Sequence, residues 1–292
     1  MTVARTVCKA VIPAAGKGTR FLPATKAQPK EMLPIIDTPT IQYVVEEAMD
    51  AGLDDILIIT SREKRAVEDH FDRDDDLLDQ LARNGSVQRL ATLKRLDGLN
   101  ALHYIRQKEP RGLGHAIGYA RNHVAGEPFA VLLGDSIVRG PRPCIGQLAE
   151  VFARVGGTVI GLERVPAEHV TRYGIVAVEP IDDRLFRVTG LVEKPSLAEA
   201  PSDLAIGARY VLTPDIFEQI DHTAPGKGGE IQLTDALQRL LDAGQPIFGY
   251  HFEGKRHDIG SKLDFLKTTV EFALQRDDLG GEFRRFLKDL AL

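Results

Sequence analysis

The chain has 292 residues, 43% hydrophobic and 27% charged, with Lys+Arg 37 against Asp+Glu 42 for a net charge of −5 and a pI near 5.9. That length permits one large or two small domains with a full core, and the acidic balance argues against a nucleic-acid partner, which calls for a basic face. Two cysteines exclude a disulfide framework or a four-thiolate metal site, and no apolar stretch reaches a membrane span.

Val7–Ile12 is the first expected strand, with Cys8 inside it as a buried free thiol. The N-terminal segment runs on into a Gly-rich loop that must be kept, so no signal peptide is expected and the protein is placed in the cytoplasm, away from any membrane. Thr38 and Pro39 read as N-cap and first helical residue. Ile41, Val44, Val45, Ala48 and Met49 keep helical spacing behind them, and Gly52 ends the helix. Asp55–Thr60 is a second strand and Glu63–Phe71 a helix, and the acidic run 72–76 is expected as a surface turn. Leu102–Arg106 (strand), Gly114–Val124 (helix) and Phe129–Leu133 (strand) continue a β-α-β rhythm, which implies a mostly parallel sheet covered on both faces.

After residue 155 the pattern changes. Thr158–Leu162, Gly174–Val178, Leu185–Val192 and Ala205–Leu212 are strands with short connections, an antiparallel or mixed extension of the sheet. Helical patterns return at Pro214–Ile220, at Leu233–Leu241, and from Lys262 onward. No repeat or linker divides the chain, so the expectation is one α/β unit with a C-terminal helical extension.

The loop after the first strand reads PAAGKGTRF. Small residues let successive backbone N–H groups approach an anion. It is not a Walker A loop, and Phe21 stands where the dinucleotide fingerprint needs a small residue. Lys17, Arg20, Lys26 and Lys30 crowd this Gly-rich turn at a strand's C-terminal end, which favours a polyphosphate site. Asp135, behind the apolar strand FAVLLGD, emerges at the same sheet edge, where an anion site calls for a cation such as Mg²⁺.

The run PAAGKGTRFLPATKAQPKEMLPI resembles the signature of sugar-1-phosphate nucleotidyltransferases. The resemblance continues through GLGHA (112–116), LLGDS (132–136), YGIV (173–176), VEKP (192–195), IGARYVL (206–212), GKGGEIQLTDAL (226–237) and HDIGSK (257–262). Pro13-Ala14-Ala15 and the Lys30–Pro34 run are similar to the uridylyl branch rather than the thymidylyl branch, while Gln28 stands where a small or aliphatic residue is usual. The resemblance implies a Rossmann-like nucleotidyltransferase fold over residues 1–260, with a nucleotide half to about 155 and a sugar half from about 156. The helical extension, 261–292, then offers an oligomer contact.

It also implies roles. Ala14, Ala15, Gly16, Gly18, Thr19, Glu31, Gln107 and Gly112 would contact the nucleotide, with Ala14, Ala15, Gln107 and Gly112 at uracil. Gly174, Glu193, Lys194, Gly207 and Glu230 would hold the sugar phosphate, the two glycines leaving room for its ring. Asp135 and Asp258 would share Mg²⁺, and Arg20, Lys30 and Lys194 would neutralise phosphate charge. His257, beside Asp258, is read as structural, because hard Mg²⁺ prefers oxygen. The implied reaction joins UTP and glucose 1-phosphate to give UDP-glucose and pyrophosphate, in a homodimer or homotetramer. The rival readings are a thymidylyltransferase of the same fold and a non-catalytic sugar-nucleotide sensor.

Overall fold

Nine apolar runs pair into one mixed sheet in a computed structural model that describes residues 6–98 and 101–290. In chain order they are β1 Lys9–Pro13, β2 Asp55–Thr60, β3 Ala101–Arg106, β4 Phe129–Leu132, β5 Thr158–Arg164, β6 Gly174–Pro180, β7 Leu185–Glu193, β8 Leu204–Leu212 and β9 Ile247–His251. Across the sheet they lie β3-β2-β1-β4-β8-β5-β9-β7-β6. The first four are parallel. Beyond them β8 runs antiparallel to both neighbours, β9 parallel to β5, and the β9, β7, β6 edge antiparallel.

Alternation of side chains explains why β1, β2 and β4 are apolar almost throughout. Ala10, Ile12, Ile56, Ile58, Ala130 and Leu132 enter one core with the helices Thr40–Asp50 and Cys144–Val155. Their neighbours Val11, Leu57, Ile59, Phe129 and Val131 enter a second core on the opposite face, with the helices Leu113–Gly118, Ile216–Asp221 and Leu233–Asp242. Successive Cβ atoms point to opposite faces, so a strand covered on both sides has no polar register. Each Val, Leu, Ile or Phe among them contributes roughly 1.5–3 kcal/mol of burial.

Several local expectations are corrected. Thr38 and Pro39 do not begin the first helix; they pair with Pro34 and Ile35 in a two-residue ribbon, and the helix starts at Thr40 with Pro39 as its cap. The acidic run 72–76 is a helix start rather than a turn: the Asp74 side chain accepts from the Leu77 amide and caps Asp75–Arg83, which Val87–Asp97 follows. The stretch from Gly114 to Val124 breaks into Leu113–Gly118 and Arg121–Val124. Cys8 lies outside β1 and is exposed, whereas Cys144 is buried. The sequence reading also omitted the helix Cys144–Val155 and strand β9. No helix among the described residues is long and apolar enough to cross a membrane.

The chain end returns to the segment that follows β4. Lys255–Asp258 forms an antiparallel ribbon with Ser136–Arg139, pairing Asp258 with Ser136. The helices Lys262–Gln275 and Gly280–Asp289 follow, with the Ser261 hydroxyl capping the first through the Asp264 amide. Phe265 packs edge-on against Phe21, and Phe272 is buried with Ile35, Ile137 and Ile259. Leu263, Leu266 and Phe286 remain exposed on these two helices, as does Leu290 just beyond the second.

Candidate active site

The parallel strands β1, β3 and β4 deliver their C-terminal ends to one rim of a cleft of about 660 Å³. Here the loop Ala15–Arg20 leaves β1, and Asp135 follows β4. Gly18 takes a left-handed conformation, with φ 64°, which turns the chain into the short helix Thr19–Phe21. Lys30 rises beneath this loop and donates to Asp135 Oδ2 at 2.5 Å. Burial alone would lower the Lys30 pKa, but Asp135 and Glu31 outweigh it and hold it above its ordinary value. Burial would likewise raise Asp135, and the Lys30 ammonium reverses the shift and keeps its carboxyl low. Both groups are therefore charged at neutral pH.

Glu31 lies deeper, almost wholly buried, with its carboxylate taken by the buried Lys64 ammonium. Burial dominates for both: it pushes the Glu31 pKa up and the Lys64 pKa down. Glu31 thus faces Lys64 and sets the floor beneath Lys30, 4.0 Å from it.

The opposite wall comes from β6, β7 and the ribbon. Glu193 ends β7; its Oε2 accepts from the Thr234 hydroxyl at 2.6 Å, and its Oε1 lies 2.8 Å from Lys194 Nζ. Lys194 sits at φ 45°, a left-handed turn fixed by its amide donating to the Tyr173 carbonyl and by Lys227 Nζ donating to its own carbonyl at 2.5 Å. Asp258 is surrounded by donors: the Tyr173 hydroxyl at 3.0 Å, Arg172 at 3.3 Å and the Gly260 amide at 2.8 Å. Arg256 lies across the Tyr173 ring and pairs with Glu163; burial opposes its charge, but that carboxylate holds its pKa above the ordinary value. The Ile259 amide donates to the Asp135 carbonyl at 3.1 Å, so the two acidic residues come from adjoining backbones.

At the third side Gln107 is buried, and its Nε2 reaches His115 Nδ1 at 2.9 Å and the Gly112 carbonyl at 3.4 Å. Gly112 has φ 106°, and a Cβ there would lie 2.7 Å from the Ile231 carbonyl oxygen. The position therefore admits only glycine.

Most residues named from the sequence line this one cleft: Ala15, Gly16, Lys17, Gly18, Thr19, Arg20, Lys30, Glu31, Gln107, Gly112, Asp135, Gly174, Glu193, Lys194, Glu230 and Asp258. Three do not. The Ala14 amide is spent on the Ile59 carbonyl, continuing the β1–β2 ladder, and its side chain is in the core. Gly207 is not among the lining residues, and a Cβ there would lie 2.5 Å from the Phe252 ring. Lys26 is exposed and outside the cleft. Gln107 is buried, not the surface residue that its polarity alone suggests. His257 turns into the core with its ring edge-on to Phe272. The sequence reading missed Lys64, Arg172, Tyr173, Thr234 and Arg256; of these only Tyr173 and Thr234 fell inside quoted blocks, where the hydroxyls were the available signal.

A Gly-rich loop with cations packed beneath it, and two carboxylates on adjoining backbones, on a half-parallel sheet are the features of a nucleotidyl-transferring enzyme. The sequence pattern of the family described as Nucleotidyl transferase matches residues 9–274, and the chain belongs to this family. It is 51% identical over 284 residues to UTP–glucose-1-phosphate uridylyltransferase of Bacillus subtilis (strain 168), covering 97% of each chain. Among solved structures it is similar to a UDP-glucose pyrophosphorylase complexed with UDP-glucose, at 39% identity and TM-score 0.86 over 92% of this chain and 100% of that one. It is also similar to a UTP-bound UGPase from Acinetobacter baumannii, at 36% identity and TM-score 0.89 over 97% and 99%.

Proposed function

We infer that the chain transfers a uridylyl group from UTP to glucose 1-phosphate, giving UDP-glucose and pyrophosphate. The observation that carries this reading is the meeting, in one cleft, of the Arg20 and Lys30 cations with the Glu193–Lys194 pair on the opposite wall. The attacking phosphate oxygen is already ionised at pH 7, so the reaction needs no general base. The chain's work is to neutralise charge and to hold attacker and leaving group in line. Backbone N–H groups of the loop and Arg20 take the triphosphate. Glu193 accepts from sugar hydroxyls, and Lys194 turns from Glu193 to the sugar phosphate. Lys30, charged and held in place by Asp135, faces the reacting phosphorus and stabilises the charge that builds there. Gln107, fixed by His115, presents its amide to the uracil edge.

Asp135 and Asp258 fit a hard divalent cation. Both offer only oxygen, they come from adjoining backbones, and each lies against a cation, Lys30 for Asp135 and Arg172 for Asp258, that a bound ion would displace or complement. Mg²⁺ is the ion proposed, and when bound it would spread the phosphate charge. The proposed division puts the nucleotide on residues 1–155 and the sugar on residues 156–260. The exposed apolar residues of the two last helices support a homodimer or homotetramer. A cytoplasmic location agrees with the substrates. The test is pyrophosphate release from UTP, dTTP, ATP and GTP against several sugar 1-phosphates. UTP with glucose 1-phosphate should give the highest kcat/KM by at least about tenfold, or 1.4 kcal/mol, and a preference for dTTP would overturn the reading.

A further inference from the structure

Asp55, His103 and His123 bring one carboxylate and two imidazoles together at the end of the sheet opposite the cleft. Asp55 opens β2, and His103 lies on the neighbouring parallel strand β3. His123 belongs to the short helix Arg121–Val124 that precedes β4. Their ligand atoms all fall within 4.8 Å of one another. His123 Nε2 stands 2.8 Å from Asp55 Oδ1, and His103 Nε2 stands 3.7 Å from the same oxygen. Two further observations separate this group from an ordinary ion pair. Asp55 Oδ1 and His123 Nε2 are both buried, and neither has a hydrogen-bond partner despite their approach. Such atoms are costly to leave unsatisfied. The nearby cation does not satisfy them either: Lys9 Nζ is taken by the carbonyls of His123 and Val124 and by Glu127.

We propose that Asp55, His103 and His123 form a Zn²⁺ site. Ligand atoms about 2.0–2.1 Å from a tetrahedral zinc stand about 3.3 Å from one another. The observed 2.8 and 3.7 Å bracket that spacing. Two imidazoles with one carboxylate suit a borderline ion such as zinc and not hard Mg²⁺. The His103 side chain is half-exposed, which leaves an entry path and room for water as fourth ligand. Bound zinc would tie β2, β3 and the Arg121–Val124 turn together, and would act on stability rather than on turnover.

The experiment is calorimetric titration of the metal-stripped protein with Zn²⁺ in excess Mg²⁺, so that the carboxylates of the cleft are occupied. One Zn²⁺ should bind per chain with micromolar or tighter affinity and raise the thermal midpoint, because a ligand of the native state stabilises it. His103→Ala and His123→Ala should each weaken binding at least about tenfold and abolish the thermal shift, with pyrophosphate release unchanged. Asp135→Asn should leave zinc binding intact. His103 is exposed enough that its alanine variant should fold even if the His123 variant does not. Absence of binding at 100-fold excess, binding that survives both histidine variants, or binding lost with Asp135→Asn would each overturn the proposal.

Discussion

Arg209 on β8 is fully buried behind the cleft. Its Nε lies 3.0 Å from both oxygens of Glu47, and Nη2 reaches Glu47 Oε2 at 2.6 Å. Its other donors hold the Ser136 carbonyl at 2.8 Å and the Ala208 carbonyl at 3.0 Å. Glu47 in turn accepts the Ile145 amide. Arg209→Met keeps the volume and removes every one of these donors. Stranding one partner of a buried pair costs about 3–5 kcal/mol, and each carbonyl left without a donor adds about 1 kcal/mol or more. At roughly 2 cal/mol/K of unfolding entropy per residue, the pair term alone lowers the thermal midpoint by about 5–8 °C. Urea unfolding of Arg209→Met, Glu47→Leu and the double variant measures it. The double variant should be more stable than Arg209→Met, because it removes the stranded carboxylate, yet less stable than the native chain, because the backbone groups stay unpaired. Since Ser136 follows Asp135 directly, kcat should also fall at temperatures where Arg209→Met is fully folded. A loss under about 1 kcal/mol for Arg209→Met, or a double variant less stable than the single, refutes the reasoning.

Asp135→Asn and Asp258→Asn keep shape but remove charge, and each should lower kcat severely at saturating Mg²⁺ with an unchanged far-UV spectrum; near-normal turnover removes that residue from the metal site. Lys194→Ala should raise KM for glucose 1-phosphate about 10- to 150-fold, the worth of one charge-assisted hydrogen bond, and leave KM for UTP nearly unchanged. Arg20→Ala should show the opposite bias, and the reverse pattern in steady-state kinetics means the two subsites are exchanged. Gly207→Ala should destabilise by about 1–3 kcal/mol through overpacking against Phe252, without a selective rise in sugar-phosphate KM. His70, held by burial below its usual pKa against Gln42, is neutral in the fold; its contribution is full above about pH 6.5 and is lost as pH falls further. His70→Phe should therefore lose less stability than the native chain between pH 7.5 and 5.5 in urea titrations.

The strands were legible because both faces of the sheet are covered, so runs such as Asp55–Thr60 carry no polar register to confuse them. That Gly16, Gly18, Arg20 and Lys30 share one cleft was legible for a similar reason, because they lie close in the chain. The rest depended on distant partners. Lys64 finds Glu31 only through the packing of two elements, and Arg256 finds Tyr173 only when the ribbon forms. Gly207 shows a signal with two readings: its lack of a side chain suggested space for a ligand, and a Cβ there would also meet the Phe252 ring. Asp74 read as a solvated charge in an acidic run, and only the Leu77 amide reveals it as a cap.

The ribbon that pairs Ser136 with Asp258 has a consequence during synthesis. A ribosome adds roughly 5–20 residues per second, so the second carboxylate leaves it on the order of 6–25 s after the first. Over most of that interval the nascent chain lacks the helices Ile216–Asp221 and Leu233–Asp242 that cover one face of β1, β2 and β4. It cannot assemble the opposing acid. The two acidic residues therefore come together only in a single late event, when the return strand docks.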